Sequence, residues 1–203
     1  MKKSLSPQEK KSESTRIRIL NSAVDCLSSE GYAAASTALI AAKAGLSRGA
    51  MMHHYPTRID LIKALILHLA NKRKLVFSKL VSAIPDNKRL EQEAGLEAYW
   101  KLLISSEYVA FQELRNAARI DDQYSKLLHD ATREIEDEWR TFVLTLFPEW
   151  TKLPDKFELA MDLTQFLMEG MAMHHVNGSK SFKKDMMINY LKLQLLELIK
   201  SQN

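Results

Sequence analysis

Apolar residues recur along most of this chain at intervals of three and four, the spacing that lines up side chains on one face of a helix. Ile17, Leu20, Val24 and Leu27 form one such stripe and predict a helix over about residues 15–30. Thr57 is placed as an N-cap, opening a long helix through Leu61, Leu65 and Leu69 towards Val81. Pro85 ends it, because proline lacks an N–H and its ring clashes with the preceding turn. Further helical stretches fall near 88–104, 107–119, 122–147, 155–176 and 182–201. The prolines agree with this division: Pro7 lies in a polar tail, Pro56 precedes a helix, and Pro148 and Pro154 bracket one connection. No sustained period-two alternation appears, and Asn177-Gly178 merely separates two helical segments. No internal repeat is evident. The pattern predicts an all-α protein of about nine helices.

Two of those helices are short and closely spaced. In STALIAAKAGLSRGAMMHHYPTR, residues 36–58, a helix from Thr37 to Ala44 ends at Gly45, which can take the left-handed conformation of a helix terminus. Leu46 then points inward, and Ser47 caps a second helix over Arg48–Tyr55. Ile40, Ala44, Leu46 and Met51 supply apolar contacts, and Ala41 is small where the helices cross steeply. This is a helix-turn-helix arrangement, whose second helix lies in a DNA major groove.

Composition narrows the setting. The chain has 203 residues, 46% hydrophobic and 27% charged, enough to form a core without a disulfide or metal staple. Cys26 is the single cysteine, which excludes an intrachain disulfide and a cysteine-based zinc site and suits a reducing cytoplasm. No apolar run approaches the ~20 residues that span a bilayer. The opening MKKSLSPQEKKSESTR lacks the apolar core of a secretory signal. The expectation is a soluble cytoplasmic protein with no membrane partner, cofactor or metal.

Charge is divided along the chain. Residues 1–80 carry 14 Lys and Arg against 5 Asp and Glu, a balance of +9, whereas residues 81–203 carry 15 against 20, a balance of −5. A basic first part suits a polyanion and an acidic second part suits another task, although chance can also produce such a division. Residues 1–14 read as a flexible basic tail whose Lys2, Lys3, Lys10 and Lys11 either graze phosphates or are simply solvated.

Residues from about Arg16 to Leu65 resemble the N-terminal domain of TetR/AcrR-type bacterial transcription regulators. The resemblance rests on a first helix ending in EGY, then STALIAAKAG, LSRGAMMHHY and PTRIDLIKAL. Gly45, Leu46, Ser47, Arg48, Gly49, Ala50, Met51, Pro56, Thr57 and Arg58 fit the family's run of residue types, and Tyr55 takes an aromatic place. Met52 and His54 depart from it, standing where an aromatic residue is common. The resemblance implies a helix-turn-helix domain over 15–58, followed by a helical effector-binding and dimerisation domain over 59–203, linked by the long fourth helix at about 57–83. It also implies DNA contacts. Thr37 and Ser47, at helix N-termini, suit phosphate or serve as caps. Arg48 suits a guanine edge or a phosphate, Ala50 a thymine methyl, and Gly49 leaves room for close approach. His53 and His54 face the DNA backbone, Thr57, which opens the fourth helix, joins the DNA contacts, and Arg58 resembles a phosphate-clamping residue.

In the family the last two helices pair with those of a second subunit, here through about 155–176 and 182–201. The first carries Phe157, Met161, Phe166, Leu167, Met168 and Met171, and the second Met187, Tyr190, Leu191, Leu195 and Leu198. Such stripes serve equally as intramolecular core. A pocket for a small, largely apolar effector is expected around Glu113 and Asn116, one turn apart among apolar residues, with Trp100, Leu103, Phe111, Phe142 and Met168 as lining. Glu113 and Asn116 read equally well as satisfied core hydrogen bonders.

Enzymatic readings fail on spacing. Adjacent histidines, as in His53-His54 and His174-His175, point to different helix faces. His-Glu-x-x-His, a P-loop and paired Glu-x-x-His motifs are absent, and no Gly-x-Ser-x-Gly elbow follows a predicted strand. The sequence therefore reads as a ligand-responsive regulator, a repressor that binds a near-palindromic operator as a homodimer. An activator of the same architecture reads identically. The alternative is a DNA-binding protein without a small-molecule sensor, nucleoid-associated or regulated by another protein.

Overall fold

Ser6 and Glu9 open the first helix reciprocally. The Glu9 N–H donates to Ser6 Oγ at 3.3 Å and the Ser6 N–H to Glu9 Oε2 at 2.7 Å. The Ser6 N–H, followed by the Ser6 hydroxyl, holds the Glu9 carboxyl below its usual range. Pro7 follows at the first helical position, where its missing N–H leaves nothing unsatisfied. In this computed structural model, which describes residues 6–83, 92–176 and 183–200, helix α1 therefore runs over Pro7–Ala34. Residues 7–14 are thus an exposed helical extension rather than the tail their polarity suggested, since a capping box and a proline start a helix without any apolar face. Lys2 and Lys3 lie outside the described residues.

Among the described residues eight further helices follow: α2 (Thr37–Lys43), α3 (Arg48–Met52), α4 (Arg58–Ser82), α5 (Gln92–Leu103), α6 (Ser106–Ala118), α7 (Asp122–Leu146), α8 (Pro154–Val176) and α9 (Lys184–Lys200). A 3₁₀ turn over Pro148–Lys152 buries Trp150 ahead of α8. No strand occurs among the described residues. Pro85 and Asn177-Gly178 lie outside them, as do the first residues of the helix expected from 88. Among the described residues no helix is long and apolar enough to cross a membrane.

The chain forms two compact units. One comprises the residues up to Asn71 with Ser106–Thr132, and the other comprises Lys72–Ser105 with the residues from Arg133 onward. The first unit is thus larger than the 15–58 segment read from the sequence. Its core brings Ile19, Leu20, Ala23, Val24 and Leu27 of α1 together with Ile40 and Ala41, Met51, Leu61 and Leu65, and Ala110, Leu114 and Ala117. Alanine at three positions of α6 (Ala110, Ala117 and Ala118) suits the close packing of this helix on α1. Ile17 lies at the edge of the buried face of α1 and is 41% exposed, so the stripe that seats this helix begins at Ile19 instead.

In the second unit α5, α8 and α9 pack on one another. Their buried faces hold Leu96, Trp100 and Leu103, then Phe157, Met168 and Met171, then Ile188, Leu191 and Leu195. Arg140 of α7 bonds Glu158 and, at 3.1 Å, Asp162 of α8. Lys184 of α9 reaches Glu97 of α5 at 3.5 Å and lies 5.8 Å from the Trp100 ring centre.

Candidate nucleic-acid interface

The turn between α2 and α3 is built by its backbone. Gly45 has φ +65°, a conformation in which a Cβ is costly, and it ends α2 with two bonds. The Gly45 N–H donates to the Ala42 carbonyl at 3.0 Å and the Leu46 N–H to the Ala41 carbonyl at 2.9 Å, the paired closure of a Schellman motif. Ser47 then caps α3, its Oγ accepting from the Ala50 N–H at 3.1 Å. Ser36, the residue before Thr37, caps α2 by accepting from the Leu39 N–H at 3.2 Å. In the Ser36-Thr37 pair both hydroxyls compete for the cap, and the one on the extended residue takes it.

This geometry fixes what α3 presents. Met51 is wholly buried and anchors the helix, while Ser47, Arg48, Gly49, Met52 and His53 are exposed and Ala50 is half-buried. A Cβ added at Gly49 would touch nothing closer than Ser47 Oγ at 4.0 Å, so the start of α3 stays low and open. The helix is shorter than expected, ending at Met52, with His53 as its C-cap. His54 is half-buried, and its carbonyl accepts from Arg16 Nη1 at 3.4 Å.

Two arginines fasten this helix-turn-helix to its surroundings. Arg16 of α1 lies 4.8 Å from the centre of the buried Tyr55 ring. Arg58 lies 4.7 Å from the centre of the Tyr32 ring and donates to the Ala35 carbonyl at 2.8 Å and the Tyr32 carbonyl at 3.2 Å. Its guanidinium closes the end of α1 from within the unit, which gives it a scaffold role. Thr57 is likewise engaged internally. Its Oγ1 donates to Asp60 Oδ2 at 2.7 Å and accepts from the Asp60 N–H at 3.1 Å, so it acts as a cap.

Glu113 also has an internal partner. The last turn of α1 breaks at Gly31, with φ 77° and ψ 168°, a conformation essentially confined to glycine. The break frees the Tyr32 N–H, which donates to Glu113 Oε2 at 2.9 Å. A Cβ at Gly31 would come within 3.3 Å of that same oxygen. The Tyr32 and Tyr124 rings meet edge-on at 5.7 Å. Burial, followed by the neighbouring Tyr32 hydroxyl, pushes the Tyr124 phenol up to about 12. Glu113 thus ties α6 to the end of α1, and Asn116 is exposed, so neither forms the pocket expected of the pair. Phe111 is half-buried in the same unit.

A cavity lies in the second unit. It measures about 90 Å³, and its lining includes Phe77, Tyr99, Trp139, Phe147, Trp150 and Phe157. Trp100, Leu103 and Met168 are buried core outside the lining, and Phe142 packs on Phe77 and Trp139 at 6.4 and 5.7 Å. All seven residues expected to contact an effector therefore fall outside this cavity. The sequence pattern located buried apolar positions but not where packing leaves a gap. At Gly95 a Cβ would meet the Phe147 ring at 2.8 Å. The missing side chain lets that ring lie against α5. Arg73 of α4 stacks over Trp139 at 3.8 Å.

On the outer side of the same unit, α8 carries Leu159, Leu163, Phe166 and Met173 exposed, with Phe166 at 70%. Met186, Tyr190 and Leu193 of α9 are also exposed. Of the residues expected to face a second subunit, Phe157, Met168, Met171, Leu191 and Leu195 are buried in the protomer, Met161, Leu167, Met187 and Leu198 are half-buried, and Phe166 and Tyr190 are exposed. Two apolar faces on one helix are hard to separate by spacing alone. No group of three metal-ligating side chains occurs among the described residues.

Residues 19–65 match the family model of bacterial regulatory proteins, tetR family. An uncharacterized HTH-type transcriptional regulator of Mycobacterium tuberculosis is 32% identical over 139 residues, which cover 63% of this chain and 71% of the relative. Two solved structures share the fold. A transcriptional regulator from Rhodococcus sp. Rha1 gives a TM-score of 0.68 at 18% identity, over 91% of this chain and 96% of that one. The fatty acid degradation regulator FadR from Bacillus halodurans gives 0.67 at 15% identity, over 96% and 97%.

Proposed function

The chain belongs to the TetR family of bacterial regulatory proteins and is a DNA-binding transcriptional regulator, and from that premise we propose that it is a homodimeric repressor released by a small, largely apolar effector. In this reading Arg48 reads a base edge from the first turn of α3, and Ala50 meets a thymine methyl. Thr37, Ser47, His53 and His54 position the head on the DNA backbone, and Gly49 permits close approach. Thr57 and Arg58 hold the head together. The exposed apolar stripes of α8 and α9 pair with their twofold copies, because a monomer rarely leaves so many large apolar side chains uncovered on one surface.

The observation that carries the effector reading is α4 itself. It is one continuous helix that starts at Arg58, beside the reading head, and later supplies Phe77 to the cavity wall. An effector that spreads Phe77 and Trp139 displaces α4, through Phe77 and through the Arg73 stack. The two heads of the dimer then no longer match successive grooves, and the DNA-competent state is depopulated.

A gel-shift titration on the DNA upstream of the protein's own gene, repeated over a range of salt concentrations, tests the proposal. The expected result is one complex of two protomers per duplex, weakening steeply with salt, and released by molecules that raise the melting temperature of the free protein. Saturable binding that no stabilising small molecule reverses supports a regulator without a sensor.

A further inference from the structure

Every residue lining the cavity of the second unit is uncharged. The polar side chains that α8 contributes are Thr164 and Gln165, both half-buried and without a side-chain hydrogen bond among the described residues. They offer a hydroxyl and an amide, each able both to donate and to accept, which match a neutral partner. Arg73 lies outside the lining, its guanidinium held over the rings of Trp139 at 3.8 Å and Tyr99 at 5.7 Å. An ionised carboxylate or ammonium entering this space would lose its hydration and meet no counter-charge in the walls, a penalty that one hydrogen bond does not offset. A ring, by contrast, finds aromatic edges and faces on several sides.

We propose that the cavity selects an uncharged, compact, ring-containing molecule bearing one hydrogen-bonding group, with the ring among Phe77, Trp139 and Phe147 and the polar group on Gln165. The proposal rests on the effector reading for the cavity's role, but its chemistry is tested by binding alone.

Trp139 and Trp150 line the cavity, so intrinsic fluorescence of the full chain, supported by calorimetry, reports occupancy. Benzyl alcohol, benzoate and benzylamine serve as probes of one shape, neutral, anionic and cationic respectively at neutral pH. Benzyl alcohol is expected to bind more tightly than either charged probe by about tenfold or more. Gln165→Leu is expected to weaken the alcohol roughly three- to tenfold. Gln165→Glu is expected to reverse the preference, so that benzylamine gains and benzyl alcohol loses. A purely structural role for Gln165 would not produce that reversal. The inference is overturned if benzoate or benzylamine equals benzyl alcohol on the wild-type protein, if no probe binds, or if both Gln165 variants leave the order of affinities unchanged. Release of DNA is scored separately. A neutral preference with no effect on DNA contradicts the effector reading and supports the ligand class, whereas DNA release by a charged probe alone does the reverse.

Discussion

Arg48 and Arg58 stand at the first positions of two successive helices, and both are arginines in a basic domain. Their surroundings separate them. Arg48 is exposed on α3, whereas Arg58 donates to two carbonyls at the end of α1 and stacks on Tyr32. Hydrogen bonds from a charged donor contribute roughly 1.5–3 kcal/mol, and a surface arginine contributes little to stability. Arg58→Ala is therefore expected to lower the melting temperature by several degrees, while Arg48→Ala leaves it unchanged and weakens DNA binding. Thermal unfolding paired with fluorescence anisotropy on one duplex checks both. Equal melting temperatures for the two variants would contradict the assignment. Residue spacing placed both arginines correctly on their helices. It did not show that Arg58 faces Tyr32, because that contact depends on where the chain turns at Gly31, and its distant partner Glu113 lies on another helix.

At the scale of elements, most helices were legible in the sequence because proline, serine and glycine mark their ends. The Gly45 turn, the Ser47 cap and the Thr57 start need only local backbone chemistry. Less legible was which apolar face of α8 turns inward. That helix buries Phe157, Met168 and Met171 and exposes Leu163 and Phe166, so its apolar residues surround much of its circumference. The outward pair offers a direct test of assembly. Burying a Phe or Leu contributes roughly 1.5–3 kcal/mol, and a twofold axis counts each residue twice. Phe166→Asp is expected to weaken the dimer by about 10²–10⁴-fold while leaving the protomer folded, since the side chain is already exposed in it. Sedimentation velocity together with a melting curve reads both effects. A dimer of undiminished strength would exclude this face as the subunit interface.

At the scale of the whole molecule, the helical class and the reading head followed from pattern and motif, and the cavity did not. A helix-turn-helix is held by neighbouring residues whose order in sequence sets their order in space. A cavity arises where residues from distant helices fail to fill a volume, here those of α4, α5, α7, α8 and α9, and spacing along one helix carries no record of that gap. The head reads DNA twice if two protomers assemble about a symmetry axis, and this is the claim from which effector control follows. Selection of bound sequences from a pool of random duplexes by the full chain tests it most directly. The predicted result is an inverted repeat with half-sites separated by about one helical turn (~34 Å) or a multiple of it, and a blurred consensus when the selection is repeated with Arg48→Ala. An asymmetric single site, or a consensus that Arg48→Ala leaves intact, would contradict it.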